Sequence, residues 1–187
     1  GMGSSVVYQT KDMGRPVKFT PPSWARDFKA TGLPPGRRPG PKEMSGYWWV
    51  ETGGTLHPTH AGAAVHRELL AIALGVFDYV KNSGEYPEAE NLALSWIGQL
   101  PGRRSGLRFL GDHILKQQDL QDPPDLPDRV AYGGWPMDRH PPLGFFSSEP
   151  PADFLDVPDI YPIPLGCLYS RNIENLYLAG RCHSATY

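Results

Sequence analysis

Proline and glycine decide what this chain can fold into. There are 21 of each among 187 residues, close to twice ordinary usage. Proline fixes φ and removes a donor from any ladder, and glycine adds backbone freedom that folding must take away. Long irregular connections and little continuous sheet are expected. The aliphatic supply agrees: Val, Ile, Leu and Phe number 41, only a little above the fifth of a chain below which disorder becomes the rule. Five Trp and nine Tyr offset that scarcity, serving either as core or as the lining of a binding cleft. The length suits one domain, or one domain with an appended segment, able to bury a core.

The net charge is -2, with Lys and Arg scattered, so no electrostatic footprint for nucleic acid or an anionic membrane is present. No run has the apolar length of a membrane span, and no signal peptide opens the chain. Cys167 and Cys182 lie in no CxxC arrangement and point to a reducing, cytoplasmic setting. Gly1-Met2 has the look of a residue left by tag cleavage before a start methionine.

Along the chain, Ser4 to Thr10 has edge-strand content and stops at Lys11 to Gly14. From Arg15 to Lys42 seven Pro and four Arg mark an excursion over a surface, with a short helix expected at Trp24 to Ala30 under a Ser23 cap. Gly36 to Gly40 (Gly-Arg-Arg-Pro-Gly) is either a solvated basic turn or an anion holder. Tyr47 to Glu51 is β-prone and closes on Gly53-Gly54, a plain turn or a place where backbone approaches a ligand. Thr59 is expected to cap a helix whose apolar face is Val65, Leu69, Ile72, Ala73, Val76 and Val80, ended by Lys81 and Gly84. A second helix is expected from Pro87 to Leu100, with Ala89, Leu92, Ala93, Trp96 and Ile97 on its buried stripe. So short a turn predicts antiparallel packing of the two.

Leu107 to Leu115 reads as a strand interrupted by a bulge at Gly111, which re-aims Asp112 or His113. Val130 to Trp135 is a short strand into a Gly pair, and Tyr161 to Gly166 is extended by its prolines. Leu176 to Ala179 reads as a strand buried on both faces, turning at Gly180, beyond which a ligand is expected up to Thr186. The fold class is α+β: a mixed or antiparallel sheet, two main antiparallel helices and long Pro/Gly-rich loops.

Simple catalytic signatures are missing. His57, His60 and His66 have no acidic or Cys ligand at zinc spacing, so no metal residues are assigned. There is no GxSxG elbow, P-loop or GxGxxG fingerprint. Cys182 and His183 are adjacent and form no local nucleophile pair.

Five ordered segments nevertheless carry a resemblance. They are Trp48-Trp-Val-Glu-Thr-Gly-Gly54, Pro101-Gly-Arg-Arg104, Arg108-Phe-Leu-Gly-Asp112 with Ile114-Leu115 and Asp119-Leu120, Gly133-Gly-Trp-Pro-Met-Asp138 with His140-Pro141, and Asn175-Leu-Tyr-Leu-Ala-Gly-Arg-Cys182 with Ser184-Ala-Thr186. Together they resemble the FAD-dependent oxidoreductases of a large bacterial flavoprotein family, related in fold to glutathione-reductase-like and succinate-dehydrogenase-like proteins.

The resemblance implies a fragment: a substrate-side domain over 1–174, then the start of the returning FAD-domain segment over 175–187. It implies FAD in the complete protein, none bound to this chain alone, and an isolated chain without activity. Arg104, Arg108, Gly180, Arg181 and Ser184 fall on cofactor-side positions, and Asp112 on a substrate-side one. Asp138 and His140 fall where catalytic residues are expected, the His moving a proton as the flavin takes a hydride. Ser105-Gly106-Leu107 stands where the family more usually has Glu-Ser-Arg, and Arg181 where distant flavoproteins carry an acid. A small-molecule substrate is implied, and exposed strand edges suit a homodimer. The other class open to this sequence is a stand-alone, non-catalytic ligand-binding or interaction module.

Overall fold

The structure, a computed structural model, describes residues 1–40, 46–57, 59–104, 106, 108–157 and 159–186. Ser105 and Leu107, which carry part of the resemblance and the start of the expected strand to Leu115, and Pro41 and Lys42, which end the expected surface excursion, lie outside the described residues. The fold is α+β, built from small antiparallel sheets and two helices. Among the described residues, no helix is long and apolar enough to cross a membrane. The chain divides into two compact units: Gly1–Ser105 with His140–Ala152, and Gly106–Arg139 with Asp153–Tyr187.

The first unit is organised on one helix. Strands β1 (Ser4–Ser5), β2 (Tyr8–Asp12) and β3 (Glu51–Thr52) precede helix α1 (Gly62–Asn82), and β4 (Leu92–Ile97) follows it. The α1 stripe read from the sequence is buried, from Val65 through Leu69 and Ile72 to Val80. It packs against Val6, Tyr8, Phe28, Tyr47, Trp49, Val50 and Phe145. Gly84 takes a left-handed φ of 84° just past the helix, as a C-terminal glycine should. The start differs from expectation: Ala61, not Thr59, holds the N-cap position, with no side-chain cap bond.

The expected second helix does not form. Pro87–Ala89 makes one 3-10 turn, and Leu92–Ile97 becomes β4, antiparallel to β2 with Tyr8 opposite Ile97 and Asp12 opposite Leu92. The reason lies in the carbonyls that such a helix would have used. Lys81 Nζ donates to Ala89 and Glu90, Val17 N–H to Glu90, and Met13 N–H to Asn91. A six-residue apolar run fits either period, and an open β2 edge decides it.

Two further expectations fail for similar reasons. Trp24 to Ala30 is not helical, because the Arg26 N–H goes to Ala71 O of α1 at 3.0 Å. Tyr47 to Glu51 is mostly turn, with Val50 N–H on Tyr47 O; Tyr47 stacks on Trp49 with centroids 4.8 Å apart, leaving only Glu51–Thr52 to pair with β1.

The second unit holds α2 (Gln117–Gln121) and two ribbons. Strand β5 (Arg129–Gly133) pairs with β8 (Tyr161–Pro164), and β6 (Met137–Arg139) pairs with β7 (Asp153–Leu155), both antiparallel. The β5–β8 pair bears out the extended readings over 130–133 and 161–164, whereas Leu165–Cys167 forms a 3-10 turn and is not extended. Of the expected strand ending at Leu115, the described residues keep a single parallel bridge from Leu115 to Ala185. Gly111 is a close approach rather than a bulge: a Cβ there would lie 2.2 Å from Gly166 O. The closing strand is also reduced to one bridge, Tyr169 to Tyr177, and Tyr177 is 77 % exposed. It is therefore not buried on both faces. Asn175 (φ 60°) and Gly180 (φ 53°) turn the backbone left-handed on either side and end it.

Candidate functional site

The most buried polar constellation lies in the first unit. The register of β1 on β3 sets Gly3 against Glu51, and the Gly3 N–H donates to Glu51 Oε1 at 2.9 Å. The other oxygen, Oε2, accepts from His140 Nδ1 at 2.8 Å and lies 3.3 Å from Arg104 Nη1. Arg104 Nη1 is also 3.1 Å from each His140 ring nitrogen. With the Nδ1 proton given to Glu51, Nε2 is the nitrogen able to accept from the guanidinium. The Glu51 and His140 side chains are each 3 % exposed, and that of Arg104 is 19 % exposed. Trp48 meets the imidazole edge-on, its ring centroid 5.3 Å away.

A second buried cation stands behind this set. Arg37 is fully buried; its Nη1 donates to the carbonyls of Pro35, Ser147 and Glu149, and its Nη2 to Gly144 O at 2.7 Å. Burial lowers its guanidinium pKa from the ordinary value, and the charge of Glu51 opposes that shift. The Gly-Arg-Arg-Pro-Gly stretch is thus neither a solvated turn nor an anion holder at Arg37: its first arginine ties the 34–40 loop to 144–149.

In the second unit Arg108 Nη1 donates to Arg181 O at 2.6 Å, on the 3-10 turn Gly180–Cys182. Tyr169 donates its hydroxyl to Asp112 at 2.5 Å, and that bond, with lesser burial, raises the phenol pKa. Ser184 is fully buried; its N–H binds Cys167 O at 2.8 Å and its Oγ has no partner among the described residues. Asp138 stands exposed on β6, opposite Phe154 of β7.

The sequence-expected residues thus fall into separate groups. Arg104 and His140 come together around Glu51, and Arg108 and Arg181 meet through a backbone carbonyl. Glu51 stood in the sequence only as part of the Trp48–Gly54 segment and Arg37 only as part of the Gly36–Gly40 stretch, neither with the role seen here. The available signal for Glu51 was an acid closing an aromatic run; for Arg37 there was none beyond flanking prolines.

The two thiols differ in a way that a simple experiment reads. Cys167 is buried with Sγ 3.1 Å from Pro164 O, and burial raises its pKa, whereas Cys182 is exposed. A raised thiol pKa leaves less thiolate. Iodoacetamide at neutral pH is expected to label Cys182 alone in the folded protein, and Cys167 only in denaturant. Equal labelling rates by mass spectrometry would contradict this burial.

A family model described as FAD dependent oxidoreductase matches residues 4–187. The chain belongs to that family. No curated protein matches it, and no solved structure does.

For an FAD-dependent oxidoreductase, the pyrophosphate needs backbone N–H groups left open by glycine. Here the candidate glycines are filled by the chain itself. A Cβ at Gly53 would meet Val65 at 2.6 Å, at Gly54 the Gly1 carbonyl oxygen at 2.4 Å, and at Gly133 the Tyr161 ring at 2.4 Å. The space over Gly62, at the start of α1, is taken by Arg103 Nη2 at 2.5 Å. Gly180 alone among the expected cofactor residues combines a left-handed φ with open space above it. At Gly53, Gly54, Gly62 and Gly133 the chain's own atoms occupy the space beside the backbone.

Proposed function

We propose that this chain is the substrate-side portion of an FAD-dependent oxidoreductase of the glutathione-reductase-like type, inactive by itself. In the complete protein the flavin supplies hydride chemistry, and Glu51, His140 and Arg104 handle a proton on the substrate side. One observation carries the reading: residues from three of the five segments that resemble the family, at Glu51, Arg104 and His140, meet in one buried charged set. Glu51 fixes the imidazole tautomer, and it stabilises the imidazolium that forms when the Arg104 guanidinium swings off Nε2 and that nitrogen takes a proton. Arg104 holds the carboxylate charge in place and orients Nε2. Trp48, half-exposed beside the imidazole, is the wall through which a small substrate approaches.

The test separates the chain from the complete protein. Flavin fluorescence, followed as FAD is added to this purified chain, is expected to show no stoichiometric binding, and desalting should leave it colourless. Protein expressed from the complete reading frame is expected to retain FAD through desalting, and its His140→Gln variant to keep that flavin while losing turnover. A yellow isolated chain, or a complete protein that purifies without flavin, overturns the proposal.

A further inference from the structure

The outer face of α1 carries an open cleft that the Glu51 set does not use. Its volume is about 530 Å³, and it is lined by Trp24, Ala64, Arg67, Glu68, Leu70 and Ala71. Positions 64, 67, 68 and 71 recur at helical spacing and share one face of α1. Ala64 and Ala71 are short and leave room beside the Trp24 indole. That indole is 56 % exposed, although burial of so large an apolar surface is favoured. The residues after it are held: Ala25 N–H donates to Pro22 O at 2.9 Å, and Arg26 N–H to Ala71 O at 3.0 Å. The Trp24 indole stands beside a gap.

The charges of the cleft do not cancel. Arg26 Nε and Nη2 take the two Glu68 oxygens at 2.8 Å each, so that carboxylate is fully engaged. Arg67 is exposed and meets no carboxylate among the described residues. One cation, a planar aromatic wall and a floor of small side chains remain.

The geometry points to a binding site for a small planar organic anion, an aromatic or heteroaromatic carboxylate. Its ring stacks on Trp24 above Ala64 and Ala71, and its carboxylate pairs with Arg67. The cleft volume lies within the range of about 300–1,000 Å³ usual for small-molecule pockets. An indole face gives a ring dispersion and quadrupole contacts, and a guanidinium takes a carboxylate through two parallel N–H bonds. None of these residues belongs to the Glu51–His140–Arg104 set, so the site stands or falls separately from the proposed function.

The probe is naphthoate, with naphthalenemethanol as the neutral control, titrated into the nitrogen-labelled chain and followed by amide and indole N–H resonances. Saturable shifts are expected at the Trp24 indole and at the Ala64, Arg67 and Ala71 amides. Arg67→Gln should weaken binding about tenfold, the worth of one charge-assisted hydrogen bond, and Arg67→Lys should recover part of it. Trp24→Ala should abolish saturation. Both side chains are exposed, so these variants should melt with the parent. Shifts that never saturate, shifts confined to other residues, or an unchanged affinity in Arg67→Gln overturn the site; equal binding of the neutral control overturns the assignment to an anion.

Discussion

Glu51→Ala is expected to lower the unfolding free energy by about 3 kcal/mol, the order of loss when one member of a buried ion pair is removed. Glu51 is nearly inaccessible, and its two oxygens serve three donors: the Gly3 N–H, His140 Nδ1 and the Arg104 guanidinium. Truncation leaves a largely buried cation and two donors without their acceptor, and no short rearrangement brings water to all of them. The Glu51 charge also favours the Arg37 cation, whose burial four carbonyls offset. Glu51→Gln keeps one carbonyl acceptor and the shape of the side chain, so a smaller loss of about 1–2 kcal/mol is expected. Urea denaturation of parent and variants reads this as a lower midpoint at unchanged slope. A Glu51→Ala midpoint equal to that of the parent would mean that the buried set does not hold the first unit together.

Glu51 also marks the limit of what the sequence made legible. The α1 stripe was readable because one residue in three or four faces the core over 21 residues, long enough for the period to be unambiguous. The extended prolines at 161–164 were readable because proline restricts its own backbone. The run from Leu92 to Ile97 was not, since six residues satisfy two periods and the β2 edge that decides between them lies 80 residues upstream. His140, Arg104 and Glu51 were all legible as members of segments that resemble the family, but nothing in those segments said that the three meet. Partnership across the fold depends on register and loop paths, and local pattern carries neither. Arg37 was harder still: four carbonyls solvate it, and a carbonyl has no sequence signature.

Gly75→Ala is the second large effect expected, and its sign runs against helix propensity. In an exposed helix interior the change stabilises by about 1 kcal/mol. In α1 the new Cβ would lie 2.2 Å from Arg26 O and 2.9 Å from the Phe28 ring. The nearer obstacle is backbone, so rotamer changes give no relief and the 22–28 segment must lift from the helix. That movement breaks the Arg26 N–H bond to Ala71 O and loosens Phe28, whose ring packs 5.1 Å from that of Phe145. A net loss of about 3 kcal/mol is expected, the scale of overpacking in a closed core. Gly62→Ala in the same helix is the control. There the nearest atom is Arg103 Nη2 at 2.5 Å, the far end of a flexible side chain, so stability should hold or rise slightly. The two variants also divide on ligand binding, because Trp24 rides on the segment that Gly75 admits. Gly75→Ala should weaken naphthoate binding even where it remains folded, and Gly62→Ala should leave it intact. If Gly75→Ala melts with the parent, the 22–28 segment is not seated on α1, and the indole platform loses its support.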